Sequence, residues 1–185
     1  MTTLASNVRV GITGEVSVAP VGSTGPTTST SALDSAFVGL GYVSEDGVTK
    51  APNDTAEQII AWQNAAVVRT VFTESFWTFQ LTLIETKGEV VELYYKGSTI
   101  AVVSAGEWKV EVGAAVPDPR AFVIDVIDGS KHYRYYIPNG EVTERGDMVF
   151  ASGEPIGFDI TITAYADEDG VAFTEYSDDA AWGYS

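Results

Sequence analysis

The chain of 185 residues has no cysteine. A disulfide framework, a thiolate zinc site and a cysteine nucleophile are therefore excluded. It has one histidine, His132, within the alternating run "KHYRYYI". A lone imidazole in a strand reads as structural or solvent-facing, and no Ser-His-Asp triad can be chosen around it. Bases are scarce: 10 Lys and Arg stand against 26 Asp and Glu, a net charge of −16. That balance opposes ordinary nucleic-acid binding, where Lys and Arg replace counterions on phosphates, and it equally opposes docking on anionic membranes. Its plain reading is solubility. Long apolar runs are also missing. The start, "MTTLASNVRVGITGEV", has no basic segment leading into one, so neither a signal peptide nor a membrane span is expected. The "NDT" at Asn53 matches a glycosylation acceptor but means little without such a signal.

Chemical motifs are equally thin. With 26 acids, carboxylate pairs suited to glycoside hydrolysis arise by chance, and nothing selects one. "DEDG" from Asp167 resembles half of a calcium loop, yet the ligands that should follow are absent, so an acidic turn is expected. "GLG" from Gly39 lacks the rest of a dinucleotide fingerprint, and there is no phosphate-binding loop. No catalytic residue, cofactor site or metal ligand is assigned, and no enzymatic activity is expected.

What is present is strand chemistry. The chain is 45% hydrophobic, enough for a core, and of a length for one domain. In "FWTFQLTLI", Trp77, Phe79, Leu81 and Leu83 share one face, and Thr78, Gln80 and Thr82 the other. In "IGFDITITAYA", Phe158, Ile160, Ile162 and Ala164 point inward, and Asp159, Thr161, Thr163 and Tyr165 outward. "AFVIDVIDGSKHYRYYI" is a hairpin with Asp128-Gly129 at its turn. "EWKVEV" and "NGEVTERGDMVF" read as further strands. Asp54 and Glu57 have capping-box spacing that allows a helix through Trp62, but residues 58–73 read better as extended structure broken near Asn64, with a strand at 66–73. One helix is expected over about 87–96. Thr86 and Glu89 have capping-box spacing, Val90, Leu93 and Tyr94 form an apolar stripe, and Gly97 suits the C-terminal stop. The fold expected is mainly β: an antiparallel β-sandwich or partly closed barrel with one short flanking α-helix. Trp62, Trp77, Trp108 and the Tyr133, Tyr135, Tyr136 group read as core or interface packing in preference to a stacking platform.

Five segments occur in a recognisable order: "SNVRVGITGEVSVAPVGST", "ALDSAFVGLGYVSEDGVT", "AWQNAAVVRTV", "LTLIETKGEVVELYY" and "GEPIGFDITITAY". Together they make the chain resemble the major tail proteins, or tail tube proteins, of long-tailed bacteriophages, with the closest likeness to those of phages infecting actinobacteria. The resemblance implies a structural virion protein of a siphovirus type, assembled in the host cytoplasm. Its subunits would form six-fold rings stacked into a tube, with neighbouring sheets joined into one inner barrel. Expected partners are the protein itself, other tail proteins such as the tape measure and the terminator, and genome DNA passing through the lumen without sequence-specific binding. No cofactor and no membrane partner are implied.

One tail tube domain over 1–185 is expected, with an N-terminal arm at about 1–6 and a long flexible loop at about 20–36. An inter-ring loop at about 44–57 and an acidic C-terminal tail at about 167–185 complete it. The arm and the long loop have the composition of segments that order on assembly. Thr78, Gln80, Thr82, Asp159, Thr161 and Thr163 are candidates to face the lumen, because a conduit that repels phosphate keeps DNA sliding. Ser44, Glu45, Asp46, Lys50, Asn53 and Asp54 are candidate inter-ring contacts. The alternative is a carbohydrate- or cell-surface-binding β-sandwich module, which needs an exposed aromatic platform.

Overall fold

A computed structural model describes residues 4–183. The elements in chain order are β1 (Thr13–Pro20), β2 (Val38–Gly39), β3 (Val43–Ile60), β4 (Val67–Leu83), α1 (Gly88–Tyr94), β5 (Ile100–Ser104), β6 (Glu107–Val110), β7 (Arg120–Asp128), β8 (Lys131–Arg145), β9 (Phe158–Ala164) and β10 (Thr174–Ser177). Eight strands form one antiparallel sheet in the order β2-β1-β7-β8-β9-β4-β3, with β10 also beside β8. β5 and β6 pair only with each other. The sheet has two ends, β2 and β3, so it is not closed into a barrel.

β8 makes a sandwich out of this single sheet. Its first half, residues 131–137, pairs with β7, and Tyr133–Tyr136 pair with β10 on the other edge. Its second half, residues 140–145, pairs with β9. The change of partner falls at Pro138-Asn139-Gly140, where proline donates no ladder hydrogen bond and glycine admits close approach. Gly140 is buried, and a Cβ there would lie 2.9 Å from Phe122, 3.0 Å from Ile137 and 3.2 Å from Ile162. The strand expected over "NGEVTERGDMVF" is not a separate one. It is the continuation of β8 up to Arg145, because the turn-like residues mark a bend and not an end.

Between the two layers lies one core. Val16 and Val18 of β1 with Phe122 and Ile124 of β7 meet Phe79, Leu81 and Leu83 of β4 with Phe158, Ile160 and Ile162 of β9. The inward faces read from the alternation of β4 and β9 are thus the buried faces, although Trp77 is only half-buried. α1 closes one end. Val90 and Leu93 are buried, and the Tyr94 ring packs edge-on against Phe158 at 5.5 Å while its hydroxyl donates to the Gly146 carbonyl at 2.8 Å. A helix of seven residues is not stable alone, so this packing holds it. The expected capping box does not form: Lys87 is the N-cap, and no side chain bonds the first turn.

Three other expectations change. Residues 44–57 are not a loop but part of β3, with a bulge between Val43 and Val48. Their turn-like composition belongs to an edge strand, which tolerates Pro52 and charges because one side of its backbone faces away from the sheet. The 20–36 segment is irregular but fastened to its own subunit: Arg134 donates to the carbonyls of Ser31 at 2.6 Å and Thr28 at 3.3 Å. The acidic tail contributes β10, so it is sheet and not a free extension; its last residues, 184–185, lie outside the described residues, as do residues 1–3 of the N-terminal arm.

Candidate functional site

The polar face of β4 and β9 collects the six lumen candidates as three cross-strand pairs: Thr78 with Thr163, Gln80 with Thr161, and Thr82 with Asp159. Period-two alternation on neighbouring strands puts them there. β3 and the second half of β8 extend this face on either side. The result is an open groove of about 720 Å³ lined by Thr49, Asn53, Thr78, Gln80, Thr143, Thr161 and Thr163 among others. Its lining includes the carboxylates of Glu74 and Glu144 and no Lys or Arg. The hydroxyls bond one another: Thr143 and Thr163 are 2.8 Å apart, and Asn53 donates to Thr78 Oγ1 at 2.9 Å. Gln80 reaches Asp159 at 3.4 Å. Thr163 is buried by these neighbours, so five of the six candidates keep some exposure while it serves as their floor.

The six inter-ring candidates are not equivalent. The Lys50 ammonium lies 4.5 Å from the Tyr135 ring centre, with Trp77 and Phe173 also around it, and pairs with Glu175 at 3.2 Å. It is spent within the subunit as a cation–π contact. Asn53 belongs to the polar groove. The Ser44 hydroxyl is buried without a partner. Glu45, Asp46 and Asp54 stand exposed on β3.

Beyond Asp54, β3 and β4 leave the sandwich as a two-stranded arm, since β9 pairs with β4 only over Trp77–Leu83. At about 3.3 Å per residue, the seven residues from Asp54 to Ile60 reach roughly 23 Å. The arm is exposed on nearly all sides and carries Ile59, Ile60, Val67, Val68 and Phe72, with Trp62 96% exposed at its tip. Asn64 and Ala65 take positive φ to turn the chain there. Exposed apolar groups clustered in this way mark a contact surface. Sequence reading had the strands but missed the arm, because protrusion depends on where a neighbouring strand stops.

The aromatic residues that a sugar platform would use are scattered. Trp62 is at the arm tip, Trp108 on the separate β5–β6 hairpin, Trp77 against Phe173 at 5.4 Å, and Tyr136 against Phe37 at 6.5 Å. His132 donates its backbone N–H to Asp178 at 2.8 Å, with its ring 3.0 Å from the same carboxylate. Those bonds hold the Asp178 carboxyl below its ordinary range. In the "DEDG" turn, Asp167 accepts from the N–H groups of Asp169 and Val171, which is the acidic turn expected. Among the described residues no group of three acidic or histidine side chains is placed to hold a metal ion, and no helix is long and apolar enough to cross a membrane.

No curated protein matches the chain significantly. A family model described as "Phage tail tube protein" matches residues 1–184. With nearly the whole chain matched, this protein belongs to the phage tail tube protein family, whose members are structural components of the virion tail.

Proposed function

We propose that this protein is the repeating subunit of the tube: six copies form a ring, rings stack, and the polar groove of β3, β4, β9 and β8 lines the lumen through which DNA is ejected. The observation that carries the reading is the lining of this groove, rich in hydroxyls and amides, with Glu74 and Glu144 and no Lys or Arg. Phosphate would meet hydroxyls, amides and carboxylates there, so the wall offers DNA no counterion to displace. The free outer edge of β3 supports ring closure, because an edge strand is satisfied by pairing with the next subunit, and a head-to-tail contact that closes by rotation gives a ring. The arm, with Asp54 at its base, supplies contacts to adjacent subunits and rings, and Glu45 and Asp46 do so from the bulge at the other end of β3. Tape measure and terminator proteins would meet the same surfaces at the tube's interior and end. Assembly would take place in the host cytoplasm and give a non-contractile, siphovirus-type tail.

Electron microscopy of the concentrated protein tests this. Rings or tubes are expected, and a protein that stays monomeric even with tail initiator proteins overturns the reading. The double variant Gln80→Lys, Thr161→Lys tests the facing. Its tubes should retain DNA at low salt where wild-type tubes do not; a reconstruction with these side chains on the exterior refutes the lumen assignment.

A further inference from the structure

Residues 173–182 form a strap along the edge of the first half of β8, with Thr174–Ser177 paired to it as β10. Phe173 packs edge-on against Phe79 at 5.5 Å and beside Tyr135 at 6.1 Å. From there, Glu175 pairs with Lys50, Asp178 with His132, and Asp179 with Arg9; here the N-terminal arm is the whole described segment before β1, residues 4–12, longer than the 1–6 expected. The Asp179 side chain is only 3% exposed. It accepts from Arg9 Nε at 2.5 Å and Nη2 at 2.8 Å, from the Tyr133 hydroxyl at 2.6 Å and from the Ala181 N–H at 3.0 Å. Trp182 lies 5.9 Å from the Tyr133 ring beside this cluster. The arm is held along its length as well: Val10 N–H donates to Asp128 at 3.1 Å and Ile12 N–H to the Ile127 carbonyl at 3.0 Å.

The described part of this arm contributes nothing to the core. None of residues 4–12 is buried, and Leu4, Val8, Val10 and Ile12 are all exposed. A bidentate ion pair to a nearly inaccessible carboxylate therefore fixes a segment whose apolar side chains are exposed. We propose that Asp179 is a positioning residue for assembly: the C-terminal strap clasps the N-terminal arm and presents its apolar side chains, already ordered, to a second copy of this chain. This rests on the tube reading above and goes beyond it by naming what sets the arm.

Charge identifies the occupant. Two molecules of net charge −16 repel one another, so their contacts favour surfaces without uncompensated charge. Arg9 is the sole charged residue among the first 14, and Asp179 neutralises it. Residues 20–33 carry no charged side chain, and another copy therefore offers a matching neutral surface. Ordering the arm beforehand removes part of the entropy cost of association.

The test uses Arg9→Gln and Arg9→Lys in the full chain, with two readouts. Amide exchange of residues 8–12 in the monomer reports whether the clasp holds the arm, and the critical concentration for polymerisation reports whether that matters. Arg9→Gln should raise both at least about tenfold, with unchanged exchange in the β7 and β9 core, and Arg9→Lys should fall between it and wild type. Unchanged exchange at 8–12 overturns the clasp. Faster exchange with a wild-type critical concentration overturns its role in assembly. A wild type that never polymerises fails the tube reading itself and removes the assembly role with it, whereas the exchange comparison decides the clasp independently.

Discussion

Replacing Gly140 with alanine adds one methyl group at the point where β8 passes from one layer of the sandwich to the other. The new carbon would sit 2.9 Å from Phe122 Cδ2 and 3.0 Å from Ile137 Cγ2, both side chains being fully buried. A third fully buried side chain, Ile162, has its Cγ2 3.2 Å from the same point, so the new carbon is hemmed in on three sides. Gly140 is not among the residues of positive φ, so the cost is steric and not conformational. Overpacking of this kind costs about 1–3 kcal/mol, and removing a strand glycine returns about 0.5–1 kcal/mol. The centres of those ranges leave a net loss of about 1.2 kcal/mol. With an m-value near 2 kcal/mol/M, that lowers the urea midpoint by roughly 0.6 M. Gly140→Val, which adds two further methyl groups, should lose more than about 3 kcal/mol. Urea titration followed by near-UV circular dichroism measures both. An alanine variant with the wild-type midpoint or a higher one would refute the tight-bend account of β8.

Leu93→Asp puts a carboxylate at a position only 3% exposed and should leave the protein unfolded or below about half its stability, as read by circular dichroism; a native spectrum would sink the helix packing described here. The acid dependence should be visible at Asp179, whose carboxyl is held far below its ordinary 3.8 by the Arg9 guanidinium, the Tyr133 hydroxyl and the Ala181 N–H. A depressed carboxylate contributes stability that is complete above its unfolded value and is lost as pH falls toward its folded value. The difference in melting temperature between wild type and Asp179→Asn should thus be constant from pH 7 to about 5 and shrink below 3.8. A difference that grows on acidification would contradict the ion pair.

The parts of the fold visible in the sequence are those governed by local periodicity. The inward sets of β4 and β9, the Val90–Leu93–Tyr94 stripe and the Asp128-Gly129 hairpin each follow from spacing within a dozen residues. β3 was hidden because an edge strand carries the Pro, Asn and Asp that otherwise mean loop. The strap was hidden for a different reason: Lys50 with Glu175 and Arg9 with Asp179 are pairings across most of the chain, and nothing near those acids distinguishes them from solvated charge. For the polar face, alternation placed the residues of β4 and β9 together. Asn53 joined them only through the register of β3, where Ala51 sits opposite Thr78.

β1 meets its partner β7 with Pro20 opposite Arg120 and Thr13 opposite Ile127, about a hundred residues along the chain. At about 5–20 residues per second, roughly 5–20 s of synthesis separate the emergence of the two strands. Through that interval β1 has only the two-residue β2 to pair with, while β3, β4 and the helix can already form local contacts. The layers are joined later still, when β9 (Phe158–Ala164) emerges and bridges β8 to β4, so the core closes only near the end of synthesis and the strand made first waits longest for its partners.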